Sequence, residues 1–293
     1  MIVKNIASIA LGALITLTAT TVGFAQTVKI GSKNFTEQFV VAEIYAQALE
    51  KAGLTVERRL NLGATLIAHS ALTSGEIDLY PEYTGTALAA VVKGDLSGSA
   101  EKIYNDVKDY YEKNLQLTLL DPTQINNGYA IITLPETAEK YKLKTLTDLG
   151  PVSKELSFGA EGGFGERKDG LPGLKQTYGI EFKDFRIFAK LGIRYSALTS
   201  GNIDVSYGFS TDWQIADSKL VVLDDDKHLF PPYYLVPVVR QDTLAKNPKI
   251  ADVLNKISPL LNNENMRNLN AAVERDKKEP KDVAEEFLKE KGI

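Results

Sequence analysis

Aromatic side chains in turn-rich segments are the residues of this sequence best suited to binding chemistry. Tyr83 lies in Pro-Glu-Tyr-Thr-Gly-Thr, Tyr129 follows Asn-Asn-Gly, Phe209 precedes Ser-Thr-Asp, and Tyr233 follows Phe-Pro-Pro. A box of ring faces attracts a quaternary ammonium ion, each face contributing about 0.5–2 kcal/mol when water is excluded. An ordinary amine needs hydrogen-bond acceptors that rings supply poorly, so such a box favours a methylated cation. The alternative for each ring is ordinary packing.

No catalytic set stands beside these rings in the sequence. The two histidines, His69 and His228, lie far apart without a ligand at metal-binding spacing, and the chain has no cysteine. The glycine-rich segment 159–165 lacks the endings of phosphate-binding and dinucleotide-binding loops, so its backbone is expected to approach another group closely. We therefore expect no enzyme activity, no cofactor and no metal. The rival from another class is an enzyme built on a two-lobed scaffold.

Length and charge limit the architecture and the partners. The chain has 293 residues, which is close to the limit of a single hydrophobic core and favours two lobes. Its 34 basic and 38 acidic residues are interspersed. Because the electrostatic footprint of a nucleic-acid-binding protein is missing, we expect no nucleic-acid partner.

Residues 1–25 have the pattern of a cleaved secretory signal. Lys4 is the only charged residue among the first 26, and the apolar run 6–17 is shorter than the roughly 20 residues of a membrane span. Small residues at Gly23 and Ala25 suit signal peptidase. The alternative is a retained anchor helix. Without a cysteine the mature N-terminus cannot carry a lipid, which favours a freely diffusing protein of a Gram-negative periplasm.

The first third of the mature chain alternates strands and helices, as parallel α/β folds do. The pattern predicts strands at 27–31, 55–60 and 77–80 and helices at 34–52 and 64–73. Open parallel sheets bind ligands beyond the carboxyl ends of their strands. We therefore expect the site in the loops 32–36 and 81–86. Amphipathic helices after Asn247, including 250–261 and 280–289, are expected to pack on the first lobe.

An internal repeat indicates two related lobes. The segment Ser70–Asp78 returns almost unchanged as Ser196–Asp204. Each copy combines the end of a helix, a glycine and the start of a strand, and each leads to an aromatic residue just past a strand end, Tyr83 or Phe209. A cleft between the two lobes follows from this arrangement.

The chain is expected to cross between the lobes twice, near 120–123 and near 224–227, where turn-forming and charged residues interrupt the hydrophobic pattern. These crossovers predict one lobe from residues 26–122 and 228–293 and a second lobe from residues 123–227. Two hinge connections are the basis of clam-shell closure around a ligand.

Several segments resemble one protein family over nearly the whole mature chain. They are 31–38, 80–86, 167–174, 209–212, and 225–228 leading into 230–233. In these segments the sequence resembles the substrate-binding proteins of osmoprotectant ABC importers, which bind glycine betaine, choline or proline betaine. The resemblance implies a type II periplasmic-binding-protein fold, a membrane permease as partner and a separate ATPase.

In that family four tyrosines form the ammonium cage, and the resemblance implies that the matching positions are Tyr83, Tyr129, Phe209 and Tyr233. One position is therefore a phenylalanine. Its ring still offers a π face, but a hydroxyl that could hydrogen-bond a neighbour is missing, so ligand preference could differ from that of a four-tyrosine member.

The resemblance further implies Lys33, Thr86 and Arg167 as partners of the ligand's carboxylate. An ammonium, a hydroxyl and a guanidinium form the strong, charge-assisted hydrogen bonds that a carboxylate accepts. The alternatives are a solvated surface role for Arg167 and loop-stabilising roles for Lys33 and Thr86.

We accordingly expect a monomeric periplasmic binding protein that captures a quaternary-ammonium zwitterion, glycine betaine first, and delivers it to the permease. Choline, carnitine, proline betaine and ergothioneine are alternative ligands. A solute-binding sensor is an alternative role with the same site.

Overall fold

The computed structural model describes residues 27–160, 162–166, 169–188 and 191–293. The predicted signal 1–25 and the predicted site residue Arg167 lie outside the described residues. Within these ranges, none of the helices is both long enough and apolar enough to span a bilayer.

Ten strands and thirteen α-helices make up the described part of the chain. The strands are β1 Val28–Gly31, β2 Val56–Arg59, β3 Leu79–Tyr83, β4 Leu117–Leu119, β5 Tyr129–Thr133, β6 Ser157–Ala160, β7 Asp184–Ile187, β8 Val205–Phe209, β9 Val221–Leu223 and β10 Leu235–Arg240. The helices are α1 Thr36–Lys51, α2 Thr65–Ser74, α3 Thr84–Ala87, α4 Ala100–Asn114, α5 Pro135–Tyr141, α6 Leu146–Leu149, α7 Leu171–Tyr178, α8 Leu191–Thr199, α9 Trp213–Asp217, α10 Gln241–Lys246, α11 Lys249–Ile257, α12 Asn263–Glu274 and α13 Pro280–Glu290. Tighter or wider helical turns lie at Leu88–Val92, Gly150–Glu155, Gly162–Gly165 and Ser258–Leu260.

Among the described residues the strands form two five-stranded sheets that are arranged in the same way. The first sheet runs β2-β1-β3-β10-β4 and the second runs β7-β6-β8-β5-β9. In each sheet the first three strands are parallel, and the fourth runs antiparallel to both of its neighbours. The antiparallel strand, β10 or β5, is the one that enters directly after the chain has crossed from the other sheet.

Two segments, 120–128 and 224–234, carry the chain between the sheets. They lie side by side, because Asn126 and Tyr234 form an antiparallel bridge and the Asn127 N–H donates to the Tyr233 carbonyl over 3.1 Å. The predicted lobe boundaries, 122/123 and 227/228, fall inside these segments and remain a prediction.

Helices α9 and α12 form a second contact between the parts of the chain that carry the two sheets. The Trp213 indole Nε1 donates to Glu274 over 2.9 Å, and Arg275, just after α12, pairs with Asp217 over 2.6 Å. The two lobes therefore touch through side chains as well as through the crossing segments.

The C-terminal helices pack on the first sheet's side, as their amphipathic pattern predicts. Ile44 and Leu49 of α1 share one core cluster with Leu254 of α11 and Phe287 of α13. Helix α1 is accordingly buried along most of its length. This packing holds the N-terminal end of α1, where the predicted loop 32–36 lies, in a fixed position.

Strand β3 extends three residues beyond its predicted end at Tyr80 and finishes at Tyr83. The predicted loop 81–86 begins at Pro81, and a proline removes one N–H from a strand ladder. In the sheet Pro81 lies opposite Pro237 of β10, and this pairing requires no N–H from either proline. Tyr83 therefore ends the strand and does not follow it, and the same holds for Phe209 at the end of β8.

The internal repeat has an explanation in the fold. Its two copies are the end of a helix and the entry to a strand at equivalent places, α2 before β3 and α8 before β8. Gly75 and Gly201 follow those helices with φ of 80° and 71°. This left-handed conformation is the one that ends helices and favours glycine.

The aspartate that closes each repeat performs the same structural task. The Asp78 carboxylate accepts the Lys29 backbone N–H over 2.7 Å, and the Asp204 carboxylate accepts the Ser157 backbone N–H over 2.8 Å. Lys29 and Ser157 belong to β1 and β6, the equivalent strands. The repeat therefore preserves a way of tying a strand entry to its neighbouring strand.

Replacing Asp78 with alanine should lower the free energy of unfolding by about 1–3 kcal/mol, since buried donors on Lys29 and Thr243 lose their acceptor. Urea denaturation followed by circular dichroism measures the change. Asp184→Ala at an exposed position of β7 is the control and should change stability by less than about 0.5 kcal/mol. Equal effects of the two substitutions would contradict this role of Asp78.

Candidate ligand-binding site

A cavity of about 640 Å³ lies where loops and strand ends from both sheets converge. Six of the seven predicted site residues line it: Lys33, Tyr83, Thr86, Tyr129, Phe209 and Tyr233. The seventh, Arg167, lies outside the described residues. The predicted loops at the carboxyl ends of β1 and β3 therefore do meet at one cavity.

The four aromatic residues reach the cavity from equivalent or adjoining elements. Tyr83 and Phe209 are the last residues of β3 and β8, the two strands that follow the repeat. Tyr129 begins β5 and Tyr233 lies in the second crossing segment. The rings of Tyr129 and Phe209 stack, with centroids 5.5 Å apart and planes inclined by 26°.

Lys33 lines the cavity, but its positive charge is already paired. The ammonium forms a salt bridge with the fully buried Glu82 and donates to the Thr65 hydroxyl over 3.2 Å. It also lies 4.9 Å from the centroid of the Tyr83 ring. These two hydrogen bonds use two of the three ammonium N–H groups. A ligand carboxylate would meet one further donor and a neutralised charge.

Glu37 is a site residue that the sequence reasoning missed. Its buried carboxylate accepts the Tyr83 hydroxyl over 2.5 Å, the Asn127 side-chain amide over 3.2 Å and the Asn270 side-chain amide over 3.3 Å. Burial raises the pKa of the Glu37 carboxyl, while these donors and its place in the first turn of α1 favour the charged form. The bond to Tyr83 fixes the orientation of that ring in the cavity wall.

Asp212 is a second acidic residue of the cavity that was not predicted. It lies at the N-cap position of α9 but bonds no backbone N–H of that helix, and its Oδ2 accepts the Phe209 backbone N–H over 2.8 Å and the Tyr195 hydroxyl over 2.9 Å. Burial raises the pKa of the Asp212 carboxyl to about 6. The phenylalanine of the aromatic set therefore has a carboxylate directly beside it.

Phe35, Asn127 and Glu274 also line the cavity. The Phe35 ring is 40% exposed and stacks on Tyr83 at a centroid distance of 6.4 Å. Phe35, Glu37 and Asp212 lie in segments that carried the family resemblance, and this position is the sequence feature that could have predicted them as cavity residues. Asn127 and Glu274 had no comparable signal, because the fold alone brings them to the cavity.

Comparisons with known proteins give one family. The family model described as the substrate binding domain of ABC-type glycine betaine transport system matches residues 26–290. The ergothioneine transport permease/ergothioneine binding protein of Helicobacter pylori (strain G27) is 36% identical over 265 residues, which cover 90% of this chain and 47% of that protein. The carnitine transport binding protein of Listeria monocytogenes (serotype 1/2a, strain 10403S) is 35% identical over 266 residues, covering 89% and 86%. The chain thus spans about half of the Helicobacter protein and most of the Listeria protein.

A solved structure has the same architecture. The crystal structure of a glycine betaine/carnitine/choline ABC transporter superposes with a TM-score of 0.86 at 32% identity, covering 90% of this chain and 98% of that one. The predicted two-lobed α/β fold is confirmed by this match and by the two sheets.

Gly85 lies against the Tyr233 ring, and a side chain there should disturb the cavity wall. A Cβ atom on Gly85 would meet the Pro232 carbonyl at 2.7 Å and the Tyr233 ring at 2.8 Å. We expect Gly85→Ala to displace Tyr233 and to lower the free energy of unfolding by about 1–3 kcal/mol in denaturant titrations. Gly163→Ala, where a Cβ meets nothing within 4 Å, is the control. Equal stabilities of the two variants would refute the proposed contact.

Proposed function

Because the chain belongs to the family of substrate-binding domains of ABC-type glycine betaine transport systems, we propose that its cavity captures a quaternary-ammonium zwitterion, with glycine betaine the first candidate. The predicted family is confirmed, and the chain is the ligand-capturing component of an ABC importer. The choice of ligand and the roles of individual residues are the proposal.

The observation that carries the proposal is the meeting of Tyr83, Tyr129, Phe209 and Tyr233 at one cavity. A trimethylammonium group has no N–H to donate, so ring faces alone can stabilise it. A primary amine would instead need hydrogen-bond acceptors. Each lobe supplies rings, and the ammonium group can therefore hold the lobes together when they close about the crossing segments.

The carboxylate end of the ligand is assigned to Lys33, Thr86 and Arg167. The ammonium of Lys33 has one donor beyond its contacts with Glu82 and Thr65. The Thr86 hydroxyl borders the same cavity. Because Glu82 neutralises the charge of Lys33, the guanidinium of Arg167 would supply the positive charge that the ligand carboxylate needs, together with paired hydrogen-bond donors.

Choline, carnitine, proline betaine and ergothioneine are the alternative ligands. Relatives named for carnitine and for ergothioneine resemble this chain to nearly the same degree, 35% and 36% identity, so the comparisons do not favour one compound. A sensor that binds the same solute would need the same site and a different partner.

Members of this family bind small ligands outside the cytoplasm and work with an ABC permease. We assign this chain to the periplasm, with residues 1–25 as a cleaved signal, and infer that it acts as a monomer. Its permease would be driven by a separate ATPase. In this assignment the chain is a carrier and not an enzyme, needs no cofactor and has no nucleic-acid partner.

A thermal-shift panel of methylated ammonium compounds, followed by calorimetry, tests the function directly, because a ligand that binds the folded state raises the melting temperature. Glycine betaine should raise it, and Tyr233→Ala and Tyr83→Ala should each weaken binding at least tenfold through loss of a ring face. Tyr110→Ala, at an exposed position of α4, should bind normally. Absence of any shift would reject the function, and unchanged affinity of both cage variants would reject the site.

Arg167→Ala should separate the two classes of ligand. We expect it to weaken glycine betaine much more than choline, because choline has no carboxylate to receive the guanidinium's hydrogen bonds. Calorimetry with both ligands measures the ratio, and Arg186→Ala at an exposed position of β7 is the control. Equal losses for both ligands would remove the case for a zwitterion.

A further inference from the structure

Asp212 lines the cavity and has a carboxylate oxygen that no described residue bonds. Its Oδ2 receives both hydrogen bonds, from the Phe209 N–H and the Tyr195 hydroxyl. Across the described ranges of the chain, Oδ1 accepts no hydrogen bond, and the half-buried side chain lines the cavity beside the Phe209 ring. The carboxylate is thus held through Oδ2, and its other oxygen has no hydrogen-bond donor among the described residues.

The fold makes special room for this arrangement. A Cβ atom on Gly208 of β8 would stand 2.0 Å from the Tyr195 hydroxyl and 2.9 Å from Asp212 Oδ2. Only glycine therefore permits the hydroxyl to reach the carboxylate across the strand. Tyr195 is itself 4% exposed, so both partners of the bond are fixed by packing.

Asp212 forms no salt bridge with any of the described residues, although three charged groups influence its ionisation. Arg194 and Arg267 act on it at longer range and favour its charged form, and Glu37 opposes that form. The Arg194 guanidinium lies over the Tyr207 ring, 3.9 Å from its centroid. Burial outweighs both arginines, since the pKa of Asp212 is raised to about 6.

The rest of the described cavity wall does not neutralise this acid. Lys33 is paired with Glu82, and the Glu274 carboxylate accepts the Trp213 indole. The Glu37 carboxylate is surrounded by neutral donors. Among the described residues that line the cavity, Glu37, Asp212 and Glu274 are therefore the acids without a salt bridge, and Asp212 is the one bonded to the backbone of Phe209.

From this geometry we propose that Asp212 supplies the negative counter-charge for the methylated ammonium end of the ligand and so determines specificity for a cationic over an uncharged head group. The proposal rests on the function assigned above. A carboxylate about 4–6 Å from a cation in a partly desolvated site is strongly attractive.

A pH dependence of affinity follows. The raised pKa means that Asp212 is ionised at pH 7.5 and becomes mostly protonated as the pH falls below about 6. At pH 5 roughly one molecule in eleven carries the charge, so the apparent Kd rises about tenfold if the ionised form is the one that binds. Neither glycine betaine nor choline titrates between pH 5 and 7.5, so the change belongs to the protein.

Calorimetry at pH 5 and 7.5 on the full chain, with glycine betaine and with choline, tests the proposal. Wild type should lose about tenfold in affinity at pH 5, and Asp212→Asn should bind more than tenfold more weakly at pH 7.5 and show no pH dependence. Glu37→Gln separates the two acids, because it should retain a pH ratio, smaller than in wild type, since loss of the Glu37 charge lowers the pKa of Asp212. A pH ratio that persists in Asp212→Asn, or is absent in wild type, overturns the proposal.

Isosteres with an uncharged head group separate charge recognition from structural damage. Replacing the ammonium nitrogen by carbon converts choline to 3,3-dimethylbutan-1-ol and glycine betaine to 3,3-dimethylbutanoate, and their binding is measured by competition. Asp212→Asn should weaken the charged compound and leave its isostere within twofold, while the exposed Asp184→Asn changes neither. Equal losses for both compounds of a pair overturn the proposal. If wild type binds no compound at any pH, the proposed function fails instead.

Discussion

The antiparallel pairing of the two crossing segments is the constraint on which the other features depend. Segments 120–128 and 224–234 lie side by side through the Asn126–Tyr234 bridge, and each continues into a strand inserted between strands of the opposite sheet. Since buried backbone N–H and C=O groups must be paired, neither segment can shift without disrupting a ladder. The pairing therefore completes both sheets and sets the aromatic residues of the crossing segments against those at the ends of β3 and β8.

Desolvation of charge governs the chemistry of the cavity that this pairing creates. A buried ion is costly unless it is paired or hydrogen-bonded. Lys33 and Glu82 meet this requirement as an ion pair, and Glu37 meets it with donors from Tyr83 and two asparagines. Asp212 meets it with two donors at one oxygen, and burial raises the pKa of both acids. The quaternary-ammonium head group proposed above would bring these acids a positive charge without a hydrogen-bond donor.

The sequence allowed a good part of the fold and of the site to be predicted. Hydrophobic period, turn residues and the repeat gave the alternating elements and the two lobes, since these signals are local. The aromatic positions were singled out because they lie in turn-rich segments, whereas Lys33, Thr86 and Arg167 were implied only by the family resemblance. The end of β3 was wrong, because the effect of Pro81 depends on Pro237 across the sheet. Glu37 was passed over, because nothing beside it in the sequence shows that its carboxylate would be buried.

By itself, the sequence determined the class of fold, the repeated strand entries and the presence of aromatic rings at strand ends, all of which follow from periodicity and short-range sterics. Only the tertiary structure decided how the charges are distributed. Lys33 is paired with Glu82, 49 positions away, and Tyr83 donates to Glu37, 46 positions away. Such pairings, and the burial that raises the pKa of Asp212, exist only once distant segments are packed together, because desolvation is a property of packing and not of residue order.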